Sequence, residues 1–177
     1  DLGNLLSRTT AMIEKYFGGK LPQPLESAVA DNELIFMATS LREKYEHHME
    51  RFQFSSALTE VWKLTEIFNL FKRCNKYIDE TMPWALSRDI EKANRLACVL
   101  YNLCEVLRIV SILITPFMPN TAPIIAQQIG ARDDVLGWET ANKWGILPVD
   151  AEIKKGELLF PRIDVEKELS ELEKCTK

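Results

Sequence analysis

Positive charge is not in excess here, and histidine is nearly absent. The chain of 177 residues has 22 Lys and Arg against 26 Asp and Glu, a formal net charge of −4, and two histidines. That balance excludes the global basic field that draws a protein to phosphate, so any RNA contact has to be local and chemical. The two histidines, His47 and His48, are neighbours, and adjacent helical residues point about 100° apart, too far for both rings to close on one ion. Four cysteines (Cys74, Cys98, Cys104, Cys175) form no CxxC pair. They lie in apolar helical sequence and are expected to be reduced, buried thiols, with no metal site. A phosphate-cradling glycine loop, a nucleophile elbow and a usefully spaced cysteine–histidine constellation are all missing, so no catalytic residue is expected. No apolar run approaches a membrane span and DLGNLLSR is no signal peptide, which predicts a cytoplasmic setting without a membrane partner. The start in mid-pattern is what a piece of a longer chain would show.

What the sequence does have is helical periodicity. Leu2, Leu5, Leu6, Thr9, Met12, Ile13, Tyr16 and Phe17 fall on one face of a first helix, which FGGKLPQP stops. A second helix is predicted over 27–51, with a seam at Leu34, Ala38, Leu41, Tyr45 and Phe52. A third is predicted over 55–79, with Val61, Leu64, Phe68, Phe71 and Ile78 inward. The fourth, 90–114, has the cleanest seam: Leu96, Leu100, Leu103, Leu107, Val110 and Ile114. TPFMPNTAP ends it, and a short helix over 121–129 follows. Helices with one apolar stripe each must bury those stripes on one another. The expected fold is therefore all-α, a bundle of about five helices over residues 1–130. Residues 131–177 read as an irregular tail packing back on it, with a short hairpin or extended pieces, ending in a charged, helix-prone linker. Glu60, Glu66 and Glu105 read as surface or capping carboxylates.

Two features stand apart from this plan. Asn4, Arg8 and Lys15 share a narrow polar sector of the first helix, with Ala11 between them. Spacing alone favours a solvated face. The chemistry also fits the reading of a base edge, because an amide supplies both donor and acceptor and a guanidinium supplies a planar fork. In MPWAL, Trp84 directly follows the proline break. Such an indole can pack under a neighbouring helix or stand out as a platform for an unstacked base. Asp79 and Glu80 lie just upstream and would repel phosphate, so RNA should meet this loop through base faces. Trp62 sits on a helix, and Trp138 and Trp144 belong to the tail and are expected to pin it.

GNLLSRTTAMIEKYFGG, NKYIDETMPWALSRD, RLACVLYNLCEVLRIVSILITPFMPNTAP and WGILPVDAEIKKGELLFPRID occur in this order. Together they resemble the anticodon-binding domain that follows the catalytic half of bacterial methionyl-tRNA synthetases, over essentially the whole chain. The resemblance implies a class I synthetase domain that binds the anticodon loop of methionine-accepting tRNA. It implies that Asn4 and Arg8, in NLLSR, contact anticodon bases and that Trp84 stacks the first of them. ATP would belong to the catalytic half, whose HIGH and KMSKS signatures are absent here, so this chain alone should not activate methionine. The remaining partners implied are the rest of the synthetase chain and, in some members, a second copy through a C-terminal extension. Asp150 stands where the family more usually has glycine. Rival readings are the equivalent bundle of another class I synthetase, such as the cysteine or valine enzyme, and a helical protein-interaction adaptor.

Overall fold

The computed structural model describes residues 2–51 and 65–161, and beyond them only Val165, Leu169 and Lys174; of His48 and residues 65–69 it describes the backbone alone. Phe52, Glu60, Val61, Trp62, Leu64, Cys175 and the side chains of Glu66 and Phe68 lie outside the described residues, as does most of the expected linker. The described fold is all-α, with five helices of two turns or more. We label them α1 (Leu2–Phe17), α2 (Val29–Met49), α3 (Thr65–Thr81), α5 (Ala93–Ile114) and α6 (Thr121–Gln128), with the single turn α4 (Pro83–Leu86) between α3 and α5. Among the described residues there is no strand, only an isolated bridge between Lys20 and Glu152. The expected hairpin is absent there.

α1 ends because Gly18 and Gly19 both take left-handed conformations, and the Gly19 amide turns back to the Ile13 carbonyl at 3.3 Å. α2 starts where Asp31 accepts from the Ala28 amide at 2.8 Å. This is half of a capping box, since Ala28 has no side-chain oxygen to complete it. The seam residues Leu34, Ala38, Leu41 and Tyr45 are all buried, as are Phe71 and Ile78 of α3. Each fully buried leucine or isoleucine of this kind stabilises the fold by about 1.5–3 kcal/mol.

The predicted seam of α5 is only part of its buried surface. Every residue from Leu96 to Ile114 is buried, and α5 packs against each of the other helices. A central helix must be apolar on all sides, and an 18-residue stretch within Ile90–Ile114 has a mean hydropathy of 1.9 and is buried throughout. It is long and apolar enough to cross a bilayer, contrary to the expectation that no run approaches that length. Its burial inside the bundle accounts for the composition.

Glu105 corrects a second expectation. It is neither on the surface nor a cap: Glu105 and Arg108 are both 0% exposed and pair at 2.8 Å. The Arg108 guanidinium also donates to the carbonyls of Val135, Thr140 and Lys143, while Glu105 accepts from the amides of Ile146 and Leu147. Burying a charged pair is costly unless hydrogen bonds satisfy the remaining groups. Here the backbone of 135–147 supplies them, which fixes that segment to the bundle. Trp138 adds an indole N–H to Glu46 at 2.6 Å and a ring contact with Tyr45. Cys74, Cys98 and Cys104 are free and buried, as expected.

Candidate nucleic-acid interface

Asn4 lies in the first turn of α1 and Arg8 one turn later. Leu5, Leu6, Thr9, Thr10 and Ile13 go into the core, so the helix has to turn the intervening polar residues outward. Both Asn4 and Arg8 are exposed, with Lys15 exposed further along the same sector and Ala11 half-buried between them. The Asn4 amide makes no hydrogen bond to any described residue and keeps its donor and acceptor capacity. Arg8 is held: its Nη1 donates to the Asn75 side-chain oxygen at 3.2 Å. Asn75 is on α3, six residues before that helix ends, which is about 9 Å along its axis.

The end of α3 is unusual. Met82, the residue after it, sits at φ 45° and ψ 66°, in the left-handed region that a side chain normally avoids. Its amide still completes the last turn of α3 on the Ile78 carbonyl at 2.9 Å. Its own carbonyl accepts from Ala85 at 2.7 Å and Leu86 at 3.1 Å, which starts the next turn. Pro83 is buried at the first position of that turn, where its missing N–H costs nothing. The reversal leaves Trp84 42% exposed. No hydrogen bond or ring contact with a described residue holds its indole, and a neighbour, Met82, is exposed as well.

The acids beside this turn are partly neutralised. Glu80 accepts from Arg73 at 2.9 Å and pairs with Lys76 at 3.6 Å, leaving Asp79 exposed. A buried network that periodicity does not disclose joins α2, α3 and α5. Asp31 of α2 receives two bonds from Arg95 of α5, at 2.8 and 2.7 Å, and the Tyr77 hydroxyl of α3 at 2.6 Å. Asn102 donates to that hydroxyl at 3.1 Å. Burial pushes the Asp31 carboxyl upward, but the bonds from Arg95, Tyr77 and the Ala28 amide outweigh it and hold the group below its ordinary 3.8. Tyr77 itself is raised, by burial first and by Asp31 second. The one available signal for the network was a conjunction: an acid just inside a helix start, with an arginine at the start of a strongly apolar helix.

The sequence-predicted residues thus fall into two groups. Asn4 and Arg8 share one exposed face of α1, and Arg8 ties that face to α3. Trp84 stands on the turn that follows α3. Asn75 and Met82 are the additions of the fold, one touching Arg8 and the other setting the turn that carries Trp84.

Comparison with known proteins bears on the same stretch of chain. A family profile described as the anticodon binding domain of methionyl tRNA ligase matches residues 21–174. Methionine–tRNA ligase of Caldanaerobacter subterraneus subsp. tengcongensis is 54% identical over 176 residues, covering 99% of this chain and 26% of that protein. The Clostridium tetani ligase is 45% identical over 172 residues, covering 97% and 26%. Among solved structures, the apo form of Mycobacterium tuberculosis methionyl-tRNA synthetase superposes with a TM-score of 0.79 at 30% identity, over 92% of this chain and 32% of that one. The chain therefore spans about a quarter of the length of the curated relatives it matches. The profile begins after α1, whereas the Caldanaerobacter alignment runs over nearly the whole chain, α1 included.

Proposed function

The chain belongs to the family of anticodon-binding domains of methionyl-tRNA ligase, and from that premise we propose that it reads the anticodon loop of methionine-accepting tRNA. Asn4 and Arg8 hydrogen-bond the edges of splayed bases, and Trp84 stacks the face of one. Single-stranded loops can be read in this way because their bases unstack, whereas bases inside an A-form helix cannot present their edges to a side chain. The observation that carries the reading is the exposed indole of Trp84, which no described residue holds by a hydrogen bond or ring contact, on a turn set by a left-handed Met82. A ring kept out of the core at the expense of backbone strain is what a stacking platform requires.

In this reading the chain supplies recognition only. Activation of methionine with ATP and its transfer to tRNA belong to the remaining three quarters of the enzyme, in the cytoplasm. The test is a titration of the chain with an anticodon stem-loop of methionine tRNA and with the same stem carrying a scrambled loop. The cognate loop should bind more tightly. Equal affinity for the two loops, or no binding to either, would overturn the proposal.

A further inference from the structure

Lysines from two distant parts of the chain converge on one groove. Lys20 follows α1, Lys154 and Lys155 belong to the tail, and the groove they line has a volume of ≈ 490 Å³. The convergence is fixed by backbone. Leu21 donates to the Ala151 carbonyl at 2.9 Å, Asp150 to Leu21 at 2.9 Å, Ile153 to Gly19 at 2.8 Å and Lys154 to Gln128 at 3.0 Å. Asp150 adopts φ 65° in this turn, a left-handed geometry that a residue with a Cβ normally avoids. Gly130 lets the tail come so close that a Cβ there would lie 2.6 Å from the Glu152 carbonyl oxygen.

This clustering runs against the charge of the molecule. Glu14 and Glu152 also line the groove, and Glu152 pairs with Lys154 at 3.2 Å. That pair is exposed, and such pairs contribute little. The side chains of Lys20 and Lys155 make no hydrogen bond or ion pair with a described residue. Lys15, in the last turn of α1, is the chain neighbour of the lining residue Glu14, and its ammonium lies 5.3 Å from the centre of the Tyr16 ring. The carbonyl end of α1 favours a cation, which accounts for Lys15 and Lys20. It does not account for Lys154 and Lys155, which the tail delivers from more than a hundred residues away. Three lysines against Glu14 and Glu152 leave the groove with a surplus of positive charge, which an anion would balance.

The position of the groove suggests which anion. Lys15 lies in the same sector of α1 as Asn4 and Arg8, eleven residues and about 16 Å beyond Asn4 along the axis. An RNA whose loop bases meet Asn4 and Arg8, and whose backbone follows the helix axis, reaches this groove. We propose that the lysine groove at the end of α1 holds phosphodiester groups of the RNA whose bases Asn4, Arg8 and Trp84 read. The inference rests on the anticodon reading above and adds a contact that is independent of base sequence. Phosphate contacts fix register and orientation on a nucleic acid, while base contacts specify.

The test is a triple variant, Lys20→Gln with Lys154→Gln and Lys155→Gln, titrated with the methionine anticodon stem-loop at several salt concentrations. All three residues are exposed, so far-UV circular dichroism should not change. Each lost phosphate contact lowers the slope of log K against log salt by about 0.7–0.9. The slope should therefore fall by about 2, while the ratio of affinities for the cognate and scrambled loops stays the same. Arginine at all three positions should restore the slope. If the unaltered chain fails to distinguish the loops, the anticodon reading fails and takes this inference with it. If it does distinguish them and the triple variant keeps the full slope, the groove inference alone is overturned.

Discussion

The Arg8 guanidinium on α1 donates to the Asn75 side-chain oxygen on α3 at 3.2 Å, across 67 positions of sequence. The contact lies at the surface, so it contributes little to stability, but it narrows the directions in which the planar fork can point. Asn75→Ala should change unfolding free energy by no more than about 0.5 kcal/mol and still weaken binding of the cognate stem-loop several-fold. Arg8→Lys should not substitute for arginine, because an ammonium lacks the fork. Full affinity in Asn75→Ala would mean that Arg8 needs no support from α3.

Trp84→Ala should remove stacking energy of about 1–3 kcal/mol, which corresponds to a loss of roughly five- to 150-fold in affinity. With much of the indole already in water, the thermal midpoint should move little. In the full-length enzyme, aminoacylation should fall while methionine activation persists. A parallel fall of both activities would identify the ring as structural. Trp84→Phe should recover part of the loss, since a smaller ring still has a face.

The helices were legible because each buries a stripe at helical spacing, and the ends of α1 and α5 were marked by glycine and proline. The role of α5 was not legible from its seam. Asn102, Glu105, Arg108 and Ser111 lie off that stripe and look like the polar side of a surface helix, yet all four are buried. Their partners are largely backbone groups or side chains from other elements, and no spacing rule reaches that far. The stronger clue was compositional, an 18-residue stretch within Ile90–Ile114 too apolar to have a wet face. Asn4, Arg8 and Trp84 entered through family resemblance; their spacing fitted a solvated face equally well. Asn75 had no signal at all, because only the packing of α1 on α3 makes it Arg8's neighbour.

Arg108→Met should be among the most damaging single changes outside the interface. It leaves Glu105 fully buried and without its cationic partner, it strands the Lys143 carbonyl, and it takes one donor each from the carbonyls of Val135 and Thr140. Breaking one side of a buried pair costs about 3–5 kcal/mol. Urea unfolding should show this loss, with earlier proteolytic cleavage in 135–147 as the tail loosens. A variant as stable as the parent would show that the pair contributes nothing net.

Asp31 gives the fold a definite acid dependence. Because its folded pKa is depressed, the stability it contributes is fully present above the unfolded value of about 3.9. It is lost as pH falls from there through the folded value. Asp31→Asn should be less stable than the parent at pH 7 by about 3 kcal/mol, since Arg95 and Tyr77 lose a buried anion. The gap should narrow below pH 4, as the unfolded parent takes up a proton first and the folded carboxyl follows at lower pH. Unfolding curves at pH 7, 5, 4 and 3 check this, and a gap that stays constant with pH would detach Asp31 from acid sensitivity.

Met82 should separate strain from side-chain chemistry. Left-handed backbone costs a residue with a Cβ about 1–2 kcal/mol, which glycine avoids and asparagine tolerates. Met82→Asn should therefore keep both the fold and RNA affinity, and Met82→Gly should gain stability while giving the Trp84 turn more freedom. A β-branched residue is the worst occupant of positive φ, so Met82→Val should flip the turn. The flip redirects Trp84, and cognate affinity should drop toward that of Trp84→Ala. If Met82→Val binds the cognate loop as tightly as the parent, the left-handed turn is not what positions the indole.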